Sequence, residues 1–67
     1  MSNTIWLDCK IIAAPETSMG IKIEAKGEEM WIPWSQIEDI DPGDWSIDDE
    51  VRLEITEWIA RKKGLVK

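Results

Sequence analysis

From Thr4 to Ala14 the residues Ile5, Leu7, Cys9 and Ile11 alternate with Trp6, Asp8, Lys10 and Ile12, the two-residue period of a strand with one buried face. Pro15 lacks the N–H a central strand needs, and with Glu16, Thr17 and Ser18 it predicts a loop. Met19 to Lys26 alternates again, with Ile21, Ile23 and Ala25 opposite Lys22, Glu24 and Lys26. Lys26-Gly27-Glu28 supplies the glycine of a tight hairpin, and a third strand is expected from Glu29 to about Trp34. Pro33 within it points to a sheet edge, a bulge or the end of pairing.

Ser35 to Ile40 breaks the alternation, because Ile37 and Ile40 stand three apart, and it reads as irregular. Asp41-Pro42-Gly43-Asp44 matches a type II turn, with proline second and a glycine third to accept positive φ. Val51, Leu53 and Ile55 against Arg52 and Glu54 give a fourth strand over Glu50–Ile55. Thr56 is placed to cap a helix over Glu57–Lys63, with Glu57 in its first turn, three cations at its end and Gly64 as the left-handed stop. So short a helix is unstable alone, so Trp58 and Ile59 are expected to hold it to the sheet. The fold class is mainly β (α+β), a single domain over 1–67. Four antiparallel strands are expected to form a curled sheet or small half-barrel, closed by one short C-terminal helix.

Composition narrows the chemistry. A chain of 67 residues has room for one thin core. Its 43% hydrophobic content is that of a folded domain despite a net charge of −6. No apolar run reaches the roughly 18 residues of a membrane helix, and Met1 to Lys10 lacks a secretory pattern, so a cytoplasmic location without membrane contact is expected. With one cysteine and no histidine there is no internal disulfide, imidazole ligand or catalytic triad. Cys9 lies on the expected inner face, with no neighbouring base to activate it. No enzymatic activity, cofactor or metal is expected.

All five aromatic residues are tryptophan. Trp6 and Trp58 are expected to fill the core, while Trp31, Trp34 and Trp45 are candidates for a binding surface, where tryptophan is enriched among energetic anchors. Seven acids fall within residues 38–50 without a lysine or arginine. Asp39, Asp41 and Glu50 match positions 1, 3 and 12 of a calcium-binding EF-hand loop, but Asp44 occupies the position that requires glycine, so a solvated acidic loop is the better reading. Paired carboxylates also serve glycosidases and two-metal nucleases, but those need a shaped cleft that so short a chain rarely supplies. The acidic partner surface is assigned to Asp44, Asp48, Asp49 and Glu50.

The other end reverses sign: Arg61, Lys62, Lys63 and Lys67 carry half of the chain's eight cations. That asymmetry permits a homodimer through head-to-tail contact, although cations also simply complement a helix C-terminus. An alternative is single-stranded DNA, with Trp31 and Trp34 as stacking platforms and Lys22, Lys26, Arg61, Lys62 and Lys63 along the backbone. The net charge disfavours nucleic acid.

Two segments, Trp31-Ile32-Pro33-Trp34-Ser35-Gln36-Ile37 and Leu53-Glu54-Ile55-Thr56-Glu57-Trp58-Ile59-Ala60-Arg61-Lys62-Lys63-Gly64-Leu65, resemble a group of small phage and prophage proteins. Those share W-I-P-x-S-Q-I and L-E-I-x-E-W-x-A-x-K-K-G-L. Trp34 departs from that pattern, where lysine is commoner, and replaces a basic contact with an apolar one. The resemblance implies a phage context and transfers no site residues. By analogy of class, it suggests a non-enzymatic inhibitor of the anti-CRISPR kind that binds a host or phage protein through an acidic face and exposed tryptophan. A replication or recombination accessory contacting single-stranded DNA is the competing expectation.

Overall fold

A computed structural model describes residues 3–17 and 19–66; Ser18 of the expected loop and Lys67 of the basic end lie outside them. The elements are β1 (Thr4–Ala13), β2 (Gly20–Ala25), β3 (Glu28–Pro33), a 3-10 turn (Trp34–Gln36), β4 (Ile37–Asp41), β5 (Glu50–Thr56) and α1 (Glu57–Lys62). The five strands form one antiparallel sheet in the order β3-β2-β1-β5-β4. Its edge strands β3 and β4 do not pair, so the sheet is open, and the expected curled half-barrel is corrected to an open sheet with one more strand.

That additional strand covers the stretch expected to be irregular. In β4, Ile37 pairs with Ile55 and Ile40 with Leu53, and the register shifts between Ile37 and Asp39. A bulge there lets two isoleucines three apart face the same core, which is why simple alternation misses the strand. A second shift lies between Ile11 and Ala13 of β1.

One sheet face carries the core. Ile11, Ile21, Ile23, Ile32, Leu53 and Ile55 are fully buried, and Ile59, Ala60 and Leu65 cover them from the C-terminal segment. Each buried isoleucine or leucine contributes about 1.5–3 kcal/mol of transfer free energy. The core is thus aliphatic, and Trp6 and Trp58, expected inside it, are 44% and 58% exposed. Trp6 alternates with buried Leu7 and so faces outward, beside Glu54 in the register. Trp58 precedes the buried pair Ile59 and Ala60 and falls off the short helix's inner stripe.

The local signals act as follows. Lys26 and Gly27 both have positive φ, 54° and 79°, between paired Ala25 and Glu28, as a two-residue hairpin of the right twist requires. Thr56 accepts the Ile59 N–H at 3.3 Å and donates to Gln36 Oε1 at 2.6 Å, so one hydroxyl caps α1 and ties it to the 3-10 turn. Gly64 has φ of 74°, and the Leu65 N–H reaches the Ala60 carbonyl at 2.8 Å. The expected type II turn is not formed: the Asp41–Pro42 peptide is cis and Gly43 does not adopt positive φ. The left-handed residue between β4 and β5 is Asp48, φ 74°. Its N–H donates to the Ile11 carbonyl at 2.7 Å, while the Ile11 N–H donates to the Asp49 carbonyl at 3.0 Å. Two residues thus oppose one, and the reversal is built as a bulge on the end of the sheet.

Candidate functional site

The segment between β4 and β5 brings several candidate residues together. Trp45 packs partly against the core, and the Trp34 ring lies 6.5 Å from it, tilted by 32°. That separation is the range of a favourable aromatic pair. Trp34 remains 37% exposed, so the pair presents an indole to solvent at the base of the acidic segment. Asp44 and Ile47 are exposed there too. Asp49 has a structural task, since its Oδ2 accepts the Ser46 N–H at 2.8 Å. Glu50 begins β5 opposite Lys10, on the outer sheet face. Asp39 accepts the Ile40 N–H at 2.8 Å. Among the described residues no three Cys, Asp or Glu side chains converge as a group able to hold a metal ion.

Trp31 lies elsewhere. With Met19, Pro33, Trp58, Lys62 and Lys63 it lines a largely apolar groove of about 440 Å³ between the β2–β3 end of the sheet and α1. Met19, Pro33 and Trp58 were not among the residues expected at a binding site, Trp58 being expected in the core. Trp58 and Lys62 stand four apart, a spacing that already places them on one helix face. The Lys62 Nζ sits 4.9 Å from the centre of the Trp58 ring, a cation–π contact on the groove's rim.

The other cations proposed to follow a nucleic-acid backbone are dispersed and engaged. Lys22 pairs with Glu29 at 3.0 Å, and Arg61 holds Glu57 through two contacts of 2.9 and 2.7 Å. The Lys26 Nζ donates to the Leu65 carbonyl at 2.9 Å and fixes the tail beneath the hairpin. Lys22 stands directly across from Trp31 in the β2–β3 register, but its charge is spent on Glu29.

A concavity of about 780 Å³ is bordered by β1, β2, β5 and the end of β4, lined mostly by charged side chains including Lys10, Lys26, Glu24, Asp41 and Glu50. Nearby, Arg52 contacts Asp8 at 3.5 Å and stacks 5.6 Å from the centre of the Trp6 ring. Cys9 borders this concavity but is buried, and burial, helped by the negative charge of Asp8, raises its thiol from 9.0 to about 11. It is therefore a thiol rather than a thiolate at neutral pH and a poor nucleophile.

Compared with known protein families, with curated proteins and with solved structures, the chain gives no match. Among the described residues no helix is long and apolar enough to cross a membrane.

Proposed function

We propose that this chain is a non-enzymatic binding protein of phage type that engages a host or phage protein, in the manner of an anti-defence inhibitor. The observation that carries the reading is the Trp34–Trp45 pair, whose outer indole is exposed at the base of a segment rich in carboxylates. An aromatic anchor beside a segment rich in charges of one sign suits a partner with an apolar pocket bordered by lysine and arginine. Trp34, Trp45 and Asp44 are the contact residues, and Asp48, Asp49 and Glu50 supply negative potential around them. The absence of histidine and the raised thiol of Cys9 leave little for catalysis to use.

Affinity capture from host lysate, with and without nuclease, identifies a partner, and binding to the purified partner is then measured. Trp34→Ala should weaken that complex by roughly tenfold or more, and Asp44→Lys should slow association. If capture is abolished by nuclease, and a fluorescent oligonucleotide binds at about 150 mM salt through Lys62 and Lys63, the protein-binding reading fails and the single-stranded DNA reading replaces it.

A further inference from the structure

The Trp31–Trp58 groove plays no part in the partner surface, and the chain itself carries a segment with the chemistry to fill it. The groove is apolar along its floor and cationic at Lys62 and Lys63. Between β4 and β5 the order is inverted: Ile47, 47% exposed, stands along the chain between Asp44 and Asp48, both exposed. An exposed isoleucine flanked by carboxylates complements an apolar groove rimmed by lysines. We propose that two copies of this chain form a reciprocal dimer in which Ile47 of each enters the Trp31–Trp58 groove of the other, with Asp44 and Asp48 facing Lys62 and Lys63.

Two further observations support a second copy as the occupant. The segment cannot fold back into its own groove, because Asp48 and Asp49 are pinned to Ile11 through hydrogen bonds of 2.7 and 3.0 Å. The two surfaces also lie at the same end of the molecule. Trp34 joins them: its N–H donates to the Met19 carbonyl at 2.9 Å, at the groove, and its ring lies against Trp45, in the acidic segment. Complementary patches side by side allow a two-fold contact made twice, which closes at the dimer instead of growing into a filament. The dimer would cover part of the acidic segment, so self-association and partner binding compete.

Sedimentation equilibrium on the purified chain tests this without any knowledge of the partner, so its failure leaves the partner reading standing. Between about 10 μM and about 1 mM, the range of a small interface, the average mass should rise from 7.7 kDa toward twice that value. Ile47→Asp should raise the dissociation constant at least about tenfold. The decisive pair is Asp44→Lys/Asp48→Asn and Lys62→Glu/Lys63→Glu. Asparagine is chosen at 48 because it tolerates positive φ. Each variant should be monomeric alone, and an equimolar mixture should restore a dimer, because opposite charges then meet at both contacts. Circular dichroism establishes that each variant is folded. A wild-type chain that stays at 7.7 kDa throughout, an Ile47→Asp chain that associates as before, or folded charge-swapped variants that fail to pair would each overturn the proposal.

Discussion

Replacing Gly20 by alanine tests how tightly β2 and β3 are joined. A Cβ built there would stand 2.5 Å from the Ile32 carbonyl oxygen, 3.0 Å from the Ile32 carbonyl carbon and 3.1 Å from the Pro33 Cα. All three atoms are backbone, so no side chain can swing aside. Restoring ordinary contact requires β3 to retreat by about 1 Å, at the point where Gly20 pairs with Pro33 and fully buried Ile21 with fully buried Ile32. Overpacking of this kind costs about 1–3 kcal/mol. A domain of this length has roughly 3–10 kcal/mol of total stability, so the substitution removes a large share. At about 4–8 °C per kcal/mol, the melting temperature should fall by roughly 5–20 °C.

Gly43 supplies the internal comparison. Its Cβ would meet nothing within 4 Å, and its φ is not positive, so Gly43→Ala should be neutral or raise stability by about 0.4–1 kcal/mol through the unfolded chain. Melting followed by circular dichroism, with urea midpoints as a second measure, reads both variants. If Gly20→Ala melts within about 2 °C of wild type, or if Gly43→Ala falls as far as Gly20→Ala, close approach at β2–β3 does not limit stability.

Leu53→Ala opens a cavity at the centre of a thin core and should cost about 2–5 kcal/mol, enough to leave much of the chain unfolded at 37 °C by near-ultraviolet circular dichroism. Thr56→Ala should lose about 0.5–2 kcal/mol in urea unfolding, while Thr56→Ser, which keeps the hydroxyl between Gln36 and Ile59, should lose much less. The Cys9 thiol loses its proton near 9.0 when unfolded but only near 11 when folded, so the folded state holds the extra proton between those values. Stability should therefore be level in this term below about pH 8 and decline between 9.0 and about 11, and Cys9→Ala should remove that part of the decline in urea titrations across pH. A chelator should leave the melting temperature unchanged, since the acidic segment lacks an adequate calcium-ligand pattern; a rise of several degrees on adding millimolar calcium would count against this.

Four strands were legible because their side chains alternate and one face of each is covered: Leu7, Cys9 and Ile11 in β1, Ile21, Ile23 and Ala25 in β2, and Val51, Leu53 and Ile55 in β5 show it most clearly. The Lys26-Gly27 hairpin, the Thr56 cap and the Gly64 stop were legible for a different reason, since each rests on backbone chemistry confined to a few residues. β4 was hidden by its bulge, because an inserted residue turns a period of two into a spacing of three at Ile37 and Ile40. The open sheet was illegible because closure depends on whether β3 meets β4, a pairing that local alternation cannot report. The groove was half legible. Trp31 and the basic end were both candidates, but their meeting depends on α1 crossing toward the β2–β3 end of the sheet, which no spacing within either segment encodes.

The placement of the tryptophans bears on the proposed binding function. An aliphatic core of isoleucine and leucine has no room for indoles, so four of the five are exposed and the fifth, Trp45, is half-buried. They are not gathered into one patch. Trp6 is paired with Arg52 on the outer face, Trp31 and Trp58 flank the groove, and Trp34 leans on Trp45. A single contiguous apolar surface of that size would invite nonspecific association. Divided among three places, two of them beside cations and one beside carboxylates, the same area presents separate anchors with opposite electrostatic surroundings. On the proposed contacts, charge decides which partner each anchor admits: an acidic segment at the groove and a basic one at the Trp34–Trp45 pair. On the two proposed contacts Lys62 and Lys63 act in self-association alone while Asp44 serves both, so it is the lysines, and not Asp44, that separate one contact from the other in a chain of 67 residues.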